Sequence, residues 1–371
     1  MKVLVIFGTR PEAVKMCPLV LELRSRENID CQVCLTGQHR DMVRPVLECF
    51  KIKEDYDLDI MKQNQTLTSI TSDILQKLEG LLEKERPDIV LVHGDTTTSF
   101  VVALASFYQK IPVGHVEAGL RTYNKYSPFP EEMNRTLTGK IASLHFAPTE
   151  QNRLNLLKEG IDENVFVTGN TVIDSFKTTV IEKYNFRNNY LRKVDFENKK
   201  VIVLTAHRRE NIGKNLENIC EAVKQLVNNN EDVVVIYPVH PNPLVKQTVY
   251  AKLGNCKRIL LINPIDVLDM HNLIAKSYMV MTDSGGLQEE APALGKPVLV
   301  LRTETERPEA TTAGTAKLAG VEVNNIVKSA EVLLHNDMEY KKMAKAINPY
   351  GDGNASKYIT DYILKWGKSR C

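Results

Sequence analysis

The sequence predicts an α/β protein with two Rossmann-like, doubly wound domains that face each other across a cleft. Short β-branched runs alternate with amphipathic stretches along almost the whole chain, a pattern typical of βαβ units and parallel sheets. The chain has 371 residues, of which 43% are hydrophobic and 25% are charged, so it is long enough for two hydrophobic cores.

The elements of the first half follow from this alternation. Strands are predicted near 2–8, 31–36, 88–94, 112–118, 144–147 and 165–169. Helices are predicted near 11–25, 39–50, 67–86, 96–110, 131–142 and 149–159.

A polar and helical stretch at 177–199 is predicted to connect the two halves outside the sheets. The strands then resume near 201–205, 233–237, 259–262, 278–282 and 297–301. We therefore predict an N-terminal domain at 1–172, a C-terminal domain at 173–355, and a final amphipathic helix at 356–371 that packs back on the first domain.

Composition excludes several classes of function. The chain carries 48 Lys and Arg against 46 Asp and Glu, with no block of like charge, so neither nucleic acid nor a membrane surface is an expected partner. There is no apolar run of 18 residues and no export signal. Seven scattered cysteines are an odd number, which favours free thiols and a cytoplasmic location.

Residues that directly follow a strand are the first candidates for a ligand site, because ligands of open α/β sheets bind beyond the carboxyl ends of the strands. In "FGTRPEAVK", Arg10 and Lys15 lie beside the free N–H groups of a predicted helix start, which favours an anion. The alternative is an ordinary strand-to-helix turn with two solvated cations.

The segment "TDSGGLQEEAPALGKP" predicts a diphosphate site. Ser284 is expected to cap a helix, and Gly285 and Gly286 leave its first N–H groups open to a ligand. Glu290, about two turns further on, is a candidate acceptor for ribose hydroxyls. The competing interpretation is a capped helix whose glycines serve close packing.

In "TAHRREN", His207 follows the first strand of the second half and is followed by Arg208 and Arg209. Neighbouring positive charge disfavours protonation of an imidazole, so we expect His207 to be neutral. It can then donate one N–H to a phosphate or take part in proton transfer. A solvated basic turn is the alternative.

Three carboxylates are expected at one rim of the first domain: Asp95 and Glu117 follow neighbouring strands, and Glu131 opens the helix after "SPFP". Carboxylates crowded into a partly dry site cannot all ionise cheaply, so we expect at least one raised pKa, with Arg135 and Lys15 compensating charge. This placement suits proton transfer at carbon or oxygen. For Glu131 or Glu132 the alternative is a helix-start carboxylate favoured by the macrodipole.

Absent motifs narrow the chemistry further. The sequence has no G-x-G-x-x-G after a strand, no G-x-x-x-x-G-K-[ST], no H-E-x-x-H and no second Cys pair. We therefore predict no redox cofactor and no dedicated metal site. A magnesium ion that bridges a diphosphate is the alternative that these absences leave open.

The sequence resembles the non-hydrolysing UDP-N-acetylglucosamine 2-epimerases. The resemblance rests on "FGTRPEAVKM", "TGQHRDM", "VHGDTTTS", "GHVEAGLRT", "YSPFPEEMNR", "TGNTVID", "TAHRREN", "TDSGGLQEEAPALGKPVLVLR", "TERPEA" and "NPYGDGNAS". It implies the two-domain GT-B glycosyltransferase fold, a cytoplasmic homodimer and no cofactor. The implied reaction interconverts UDP-N-acetylglucosamine and UDP-N-acetylmannosamine for cell-surface polysaccharide, by loss of UDP to 2-acetamidoglucal and re-addition.

The resemblance also implies roles for individual residues. Those implied to be catalytic are Asp95, Glu117, Glu131 and His207. Those implied to bind UDP and the sugar are Arg10, Lys15, Arg135, Met270, Ser284, Gly285, Gly286, Glu290 and Arg307. Gln38 and His240 match a second, allosteric substrate site of some bacterial members.

Three positions depart from the family pattern. Met270 stands where Phe is frequent near the uracil, Glu304 stands where Thr is common, and Asn64 replaces an Arg of the allosteric site. Three other functions compete: a hydrolysing epimerase that releases N-acetylmannosamine and UDP, a retaining glycosyltransferase of the same fold, and a UDP-sugar sensor without turnover.

Overall fold

The computed structural model describes residues 1–38, 40–62 and 65–369. Asn64, a position of the proposed allosteric site, lies outside the described residues. Within them the chain forms two compact units: a first unit of Met1–Thr178 with Tyr350–Cys371, and a second unit of Thr179–Pro349.

Strands and helices alternate throughout. The first unit contains β1 (Lys2–Phe7), α1 (Arg10–Arg24), β2 (Asp30–Leu35), α2 (Arg40–Cys49), β3 (Tyr56–Asp57), α3 (Leu67–Glu85), β4 (Ile89–His93), α4 (Thr97–Tyr108), β5 (Val113–Val116), α5 (Glu131–Ile141), β6 (Leu144–Ala147), α6 (Glu150–Lys158), β7 (Val165–Val167) and α7 (Thr171–Thr179). The second contains β8 (Lys200–Thr205), α8 (Lys214–Asn229), β9 (Val233–Pro238), α9 (Pro243–Leu253), β10 (Ile259–Ile262), α10 (Val267–Lys276), β11 (Met279–Thr282), α11 (Gly285–Ala293), β12 (Val298–Val300), α12 (Pro308–Thr312), β13 (Ala316–Leu318), α13 (Val323–His335) and α14 (Asp337–Ala344). The chain closes with α15 (Ala355–Lys368), which belongs to the first unit.

Each unit is built on one parallel sheet. The first has the order β3-β2-β1-β4-β5-β6-β7 and the second the order β10-β9-β8-β11-β12-β13. Both are doubly wound orders that reverse direction beside the first strand, and ligands of such sheets bind at that switch point. The predicted fold class is confirmed: both units are α/β with parallel, Rossmann-like sheets.

The central strands are apolar because both faces of each sheet are covered by helices. In the first unit, Leu4, Ile6 and Val90 pack against buried positions of α3 and α4. In the second, Ile202 and Val235 pack with α8, α9 and α13. These cores hold the strand ends, and therefore the residues that follow them, in fixed positions.

The unit boundaries differ from the predicted domain limits. The division falls after Thr178, not after residue 172, because α7 stays on the first unit: the Asp174 carboxylate accepts hydrogen bonds from Ala355 N at 3.1 Å and Ser356 N at 2.8 Å. The chain rejoins this unit at Tyr350, where α15 then packs on α1.

The prediction of helix within 177–199 is wrong beyond Thr179, apart from one 3₁₀ turn at Leu191–Lys193. This connection is held by packing and one carboxylate instead. Phe186 and Leu191 are buried, and Asp269 accepts hydrogen bonds from Tyr184 Oη, Arg187 N and Asn188 N at 2.8–2.9 Å. The short edge strands β3 and β13 were not predicted.

No helix among the described residues is both long enough and apolar enough to span a bilayer.

Candidate active site

Asp95 lies two residues beyond β4, and Glu117 comes directly after the neighbouring strand β5. Arg135, a buried residue of α5, places its Nη2 2.5 Å from Asp95 Oδ2. The adjacent Asn134 donates its side-chain amide to the Asp95 carbonyl at 3.0 Å. One turn of α5 therefore fixes both the backbone and the carboxylate of Asp95, with 30% of the Asp95 side chain exposed.

Glu117 is held in place by three side chains and by its backbone. Lys15 Nζ donates to its Oε2, Asn170 Nδ2 donates to the same oxygen at 2.8 Å, and His93 Nε2 lies 3.5 Å away. The residue has a φ of +60°, a conformation that non-glycine residues rarely adopt and that recurs at functional sites.

Burial acts to raise the pKa of Glu117, but the nearby Lys15 and His93, together with the hydrogen bond from Lys15, hold that pKa well below its usual range. At least one carboxylate of this group was predicted to have a raised pKa, and Glu117 is not that carboxylate. Sequence spacing shows the carboxylates but not how closely Lys15 approaches one of them. Glu117 is a fixed anion at neutral pH.

The adjacent residues Glu131 and Glu132 have different environments at the start of α5. Glu132 is 3% exposed, accepts hydrogen bonds from Thr122 N and Tyr123 N at 2.8–3.0 Å, and lies 3.3 Å from Arg135. Glu131 is half-buried, and its Oε2 is buried with no hydrogen-bond partner among the described residues. Glu132 thus holds the preceding loop, whereas Glu131 keeps an oxygen for another partner.

Glu12 connects the two turns that carry Arg10 and Asp95, a role that sequence reasoning missed. It is 1% exposed; its Oε2 accepts from Thr9 N at 2.8 Å and its Oε1 from the hydroxyls of Thr96 at 2.8 Å and Ser99 at 3.1 Å. The capping-box spacing of Thr9 and Glu12 is visible in the sequence. The long-range contacts to α4 are not.

We expect the Glu12→Gln variant to lose about 1–3 kcal/mol of unfolding free energy, because at least one buried donor loses its acceptor. Chemical denaturation measures this loss. The matched control is Glu27→Gln, an exposed position just after the same helix, which should stay within about 0.5 kcal/mol. Equal stabilities of the two variants would contradict this role for Glu12.

Gly8 permits the close approach of these turns. A Cβ at this position would lie 2.1 Å from Thr36 Oγ1 and 2.9 Å from Thr98 Oγ1. Arg10 begins α1 beside this turn and is exposed. Gln38 lies after β2 and accepts a hydrogen bond from the Thr98 hydroxyl at 2.9 Å.

On the second unit, His207 and Asp283 follow the neighbouring strands β8 and β11. Asp283 Oδ2 accepts hydrogen bonds from His207 N and Arg208 N, both at 2.8 Å. The His207 ring stacks on His240, with centroids 5.0 Å apart and planes at 8°. His240 is exposed.

The pKa of His207 is lowered chiefly by burial, and also by His240 and Arg208, while Asp283 and Glu210 act to raise it. The expectation of a neutral imidazole agrees with this direction. The main cause of the lowered pKa is burial of the imidazole, which cannot be read from the sequence; the neighbouring Arg208 contributes less.

The start of α11 combines backbone donors with two guanidinium groups. A Cβ on Gly285 would lie 3.6 Å from Arg208 Nη2 and 3.7 Å from Arg307 Cζ, so both arginines reach this helix end. Ser284 precedes it, but its side chain makes no capping hydrogen bond, which corrects the predicted cap. The backbone N–H groups of a first helical turn, together with two cations, are well suited to a diphosphate.

Glu290 and Met270 lie near this helix end. Glu290 Oε1 would lie 3.3 Å from a Cβ on Gly286, and its Oε2 lies 3.7 Å from His271 Nε2. Burial lowers the pKa of His271 to about 3, so His271 is neutral. Met270, the neighbour of His271 on α10, is half-buried.

Comparison with known proteins identifies the family. The family model described as UDP-N-acetylglucosamine 2-epimerase matches residues 21–364. The UDP-N-acetylglucosamine 2-epimerase of Bacillus subtilis is 56% identical over 365 residues, which cover 98% of this chain and 95% of that protein. The chain belongs to the UDP-N-acetylglucosamine 2-epimerase family.

Solved structures agree with this assignment. The epimerase of Neisseria meningitidis, determined with bound UDP-GlcNAc, has a TM-score of 0.89 and 50% identity, and the match covers 98% of this chain and 100% of that one. The S. aureus MnaA structure with UDP has a TM-score of 0.90 and 49% identity, covering 99% and 97%.

In this member of the epimerase family, the structure brings many predicted residues into two groups. On the first unit, Asp95 pairs with Arg135 and Glu117 pairs with Lys15. On the second, Arg307 reaches Gly285, and His207 stacks on His240. Glu304, a departure from the family pattern, is exposed.

Proposed function

We propose that the protein interconverts UDP-N-acetylglucosamine and UDP-N-acetylmannosamine by inversion at C2 of the sugar. The observation that carries the proposal is the 50% identical Neisseria meningitidis epimerase, which was solved with bound UDP-GlcNAc and matches nearly the whole chain. The two groups of residues supply the chemistry that such a reaction needs.

The proposed route is elimination and re-addition of UDP. A C2 hydrogen of a pyranose has no adjacent carbonyl, so simple deprotonation and return is implausible. In the forward step, a base takes the C2 proton, the C1–O bond breaks with its electron pair moving onto UDP, and a C1=C2 double bond forms. In the return step, a proton is delivered to the other face of C2 and UDP adds back to C1, so no net oxidation occurs.

The second unit is suited to holding UDP through both steps. Arg208, Arg307 and the open N–H groups at Gly285 and Gly286 stabilise the negative charge that grows on the leaving diphosphate. Ser284, whose hydroxyl does not cap α11, and Glu290 are proposed to bind the same nucleotide. Met270 is proposed to pack near the uracil as an adaptable thioether.

The first unit is suited to handling the proton at C2. Glu117 stays ionised beside Lys15, so we assign it to electrostatic stabilisation or to the base role. Glu131 has a buried oxygen without a partner among the described residues, and Asp95 is partly exposed beside Arg135. Proton acceptance and donation on the two faces of C2 are proposed to fall among these three carboxylates. Arg10 is proposed to contact the phosphates.

Proton NMR in D₂O tests the proposal. The purified protein is incubated with UDP-N-acetylglucosamine, without added nicotinamide or divalent metal. We expect a second UDP-sugar to appear and deuterium to enter C2 of both sugars. Accumulation of free N-acetylmannosamine and UDP would replace the proposal by a hydrolysing epimerase, and an unchanged spectrum would contradict epimerisation altogether.

We also propose a cytoplasmic homodimer that supplies N-acetylmannosamine units for cell-surface polysaccharide, as the resemblance implies. Sedimentation equilibrium is expected to give twice the mass of one chain. An allosteric role for Gln38 and His240 stays part of the same proposal.

A further inference from the structure

The two oxygens of the Asp283 carboxylate differ in their hydrogen bonds within the described residues. Asp283 is fully buried. Its Oδ2 accepts three hydrogen bonds, from His207 N and Arg208 N at 2.8 Å and from Asn211 Nδ2 at 3.0 Å. Its Oδ1 is buried with no hydrogen-bond partner among the described residues. A buried acceptor without a donor is costly, so the nearest available donor is significant.

The His207 side chain approaches this oxygen. Its Nδ1 lies 3.6 Å from Asp283 Oδ1, slightly beyond hydrogen-bond distance. Catalytic hydrogen bonds are often this long without substrate and shorten when it binds. Thr282 pairs with Thr205 in adjacent strands, which places Asp283 and His207 at neighbouring strand ends. A small rotation of the His207 ring would bring Nδ1 within hydrogen-bond distance of Oδ1.

We propose that Asp283 is the positioning residue for His207: in the nucleotide complex its Oδ1 accepts a hydrogen bond from Nδ1–H, which leaves Nε2 as the acceptor for the ligand. A neutral imidazole has only one N–H, so a hydrogen bond that holds the proton on Nδ1 leaves Nε2 without a proton. When Nε2 takes up a proton from solvent, Asp283 also stabilises the resulting imidazolium. Transfer of that proton to an oxygen of the departing diphosphate then restores the neutral imidazole. This inference rests on the proposed function and names the group that sets the protonation of its histidine.

The groups around His207 are consistent with this role. His240 stacks on one face of the ring, and the charges of Arg208 and Glu210 also act on the imidazole. Arg208 pairs with Glu306 at 3.4 Å, and Glu210 pairs with Arg302 at 2.9 Å, so each has a partner of its own. Asp283 is the carboxylate that reaches Nδ1.

The Asp283→Asn variant separates this role from a purely structural one. The asparagine Oδ1 can occupy the place of the aspartate Oδ2 and accept the same three donors, so the loop stays closed. Its NH₂ group then faces His207 Nδ1 as a donor, which forces the proton onto Nε2. The matched control is Glu210→Gln, which removes the same charge from a half-exposed side chain near the same histidine.

The test is the tautomer of His207, read from long-range ¹H–¹⁵N spectra of the full chain labelled at histidine, with UDP bound. The His207→Gln variant assigns the resonances. We expect Nδ1–H in the unmodified protein and in Glu210→Gln, and Nε2–H in Asp283→Asn. We expect Asp283→Asn to lower kcat by about 10²–10⁴-fold, by analogy with the Asp→Asn change in acyl-transfer triads, and to leave the Kd for UDP within about threefold.

Nε2–H in the unmodified UDP complex would overturn the proposal, even if the variant failed to fold. The same conclusion would follow if Asp283→Asn kept the Nδ1–H tautomer, whatever its activity. Because the tautomer is measured with UDP and without turnover, this result is independent of whether the protein epimerises the sugar.

Discussion

Replacing Asp95 with asparagine is expected to lower kcat for epimerisation by about 10²–10⁴-fold, the usual contribution of a positioned acid or base. Asparagine has nearly the same shape and still accepts a hydrogen bond from Arg135, which lies 2.5 Å from the carboxylate. It cannot take up or release a proton in the required way. Most of the residues proposed to bind UDP lie on the second unit, and Asp95 is not among them, so the Kd for UDP measured by calorimetry should change little.

The matched control is Asp88→Asn. Asp88 precedes β4 at the other end of the strand that leads to Asp95, is exposed, and accepts a hydrogen bond from Lys2 N at 2.7 Å that asparagine can also accept. Its kcat should stay within about twofold of the unmodified protein, as for most exposed substitutions. An Asp95→Asn protein as active as this control would contradict the proposed role of Asp95.

Replacing Glu131 with glutamine is expected to have an effect of similar size on kcat, about 10²–10⁴-fold, without lowering the melting temperature. Its buried Oε2 makes no hydrogen bond within the described residues, so the change removes no contact of the folded state that the structure shows. The substitution should therefore lower kcat and leave the stability of the fold unchanged. Progress curves and thermal unfolding of the same sample measure both quantities.

The neighbouring Glu132→Gln variant provides the contrast. Glu132 is 3% exposed, accepts two backbone N–H groups and lies 3.3 Å from Arg135. We expect it to lose about 1–3 kcal/mol of stability, because a buried charged acceptor is removed. If Glu131→Gln unfolded earlier than Glu132→Gln while keeping its activity, the division of roles at the start of α5 would be wrong.

Much of the fold could be predicted because strand and helix periodicities are local. The central strands are runs of β-branched residues, and their bounds agree with the prediction within a few residues. The strands β3 and β13 have two and three residues, too few to show a periodicity. The connection at 177–199 is held by Asp269, a residue some 80 positions away in sequence, so no local pattern shows its conformation.

The candidate site could be predicted where position alone was informative, directly after a strand. Glu117 comes directly after β5, and Asp95 and His207 lie two residues beyond β4 and β8. Asp283 directly follows β11, and this position is the signal that could have found it. Its contacts with His207, and those of Glu12 with Thr96, join distant residues and depend on the fold. The low pKa of Glu117 depends equally on the approach of Lys15.

The central claim is that UDP leaves and returns during inversion at C2. The most direct test uses UDP-N-acetylglucosamine with ¹⁸O in the bridge between C1 and the β-phosphorus, followed by ³¹P NMR over many turnovers. We expect the label to move into the non-bridging oxygens of the β-phosphate in both sugars, because the C1–O bond is broken in every cycle. Epimerised product with all of its label still in the bridge would contradict elimination and re-addition.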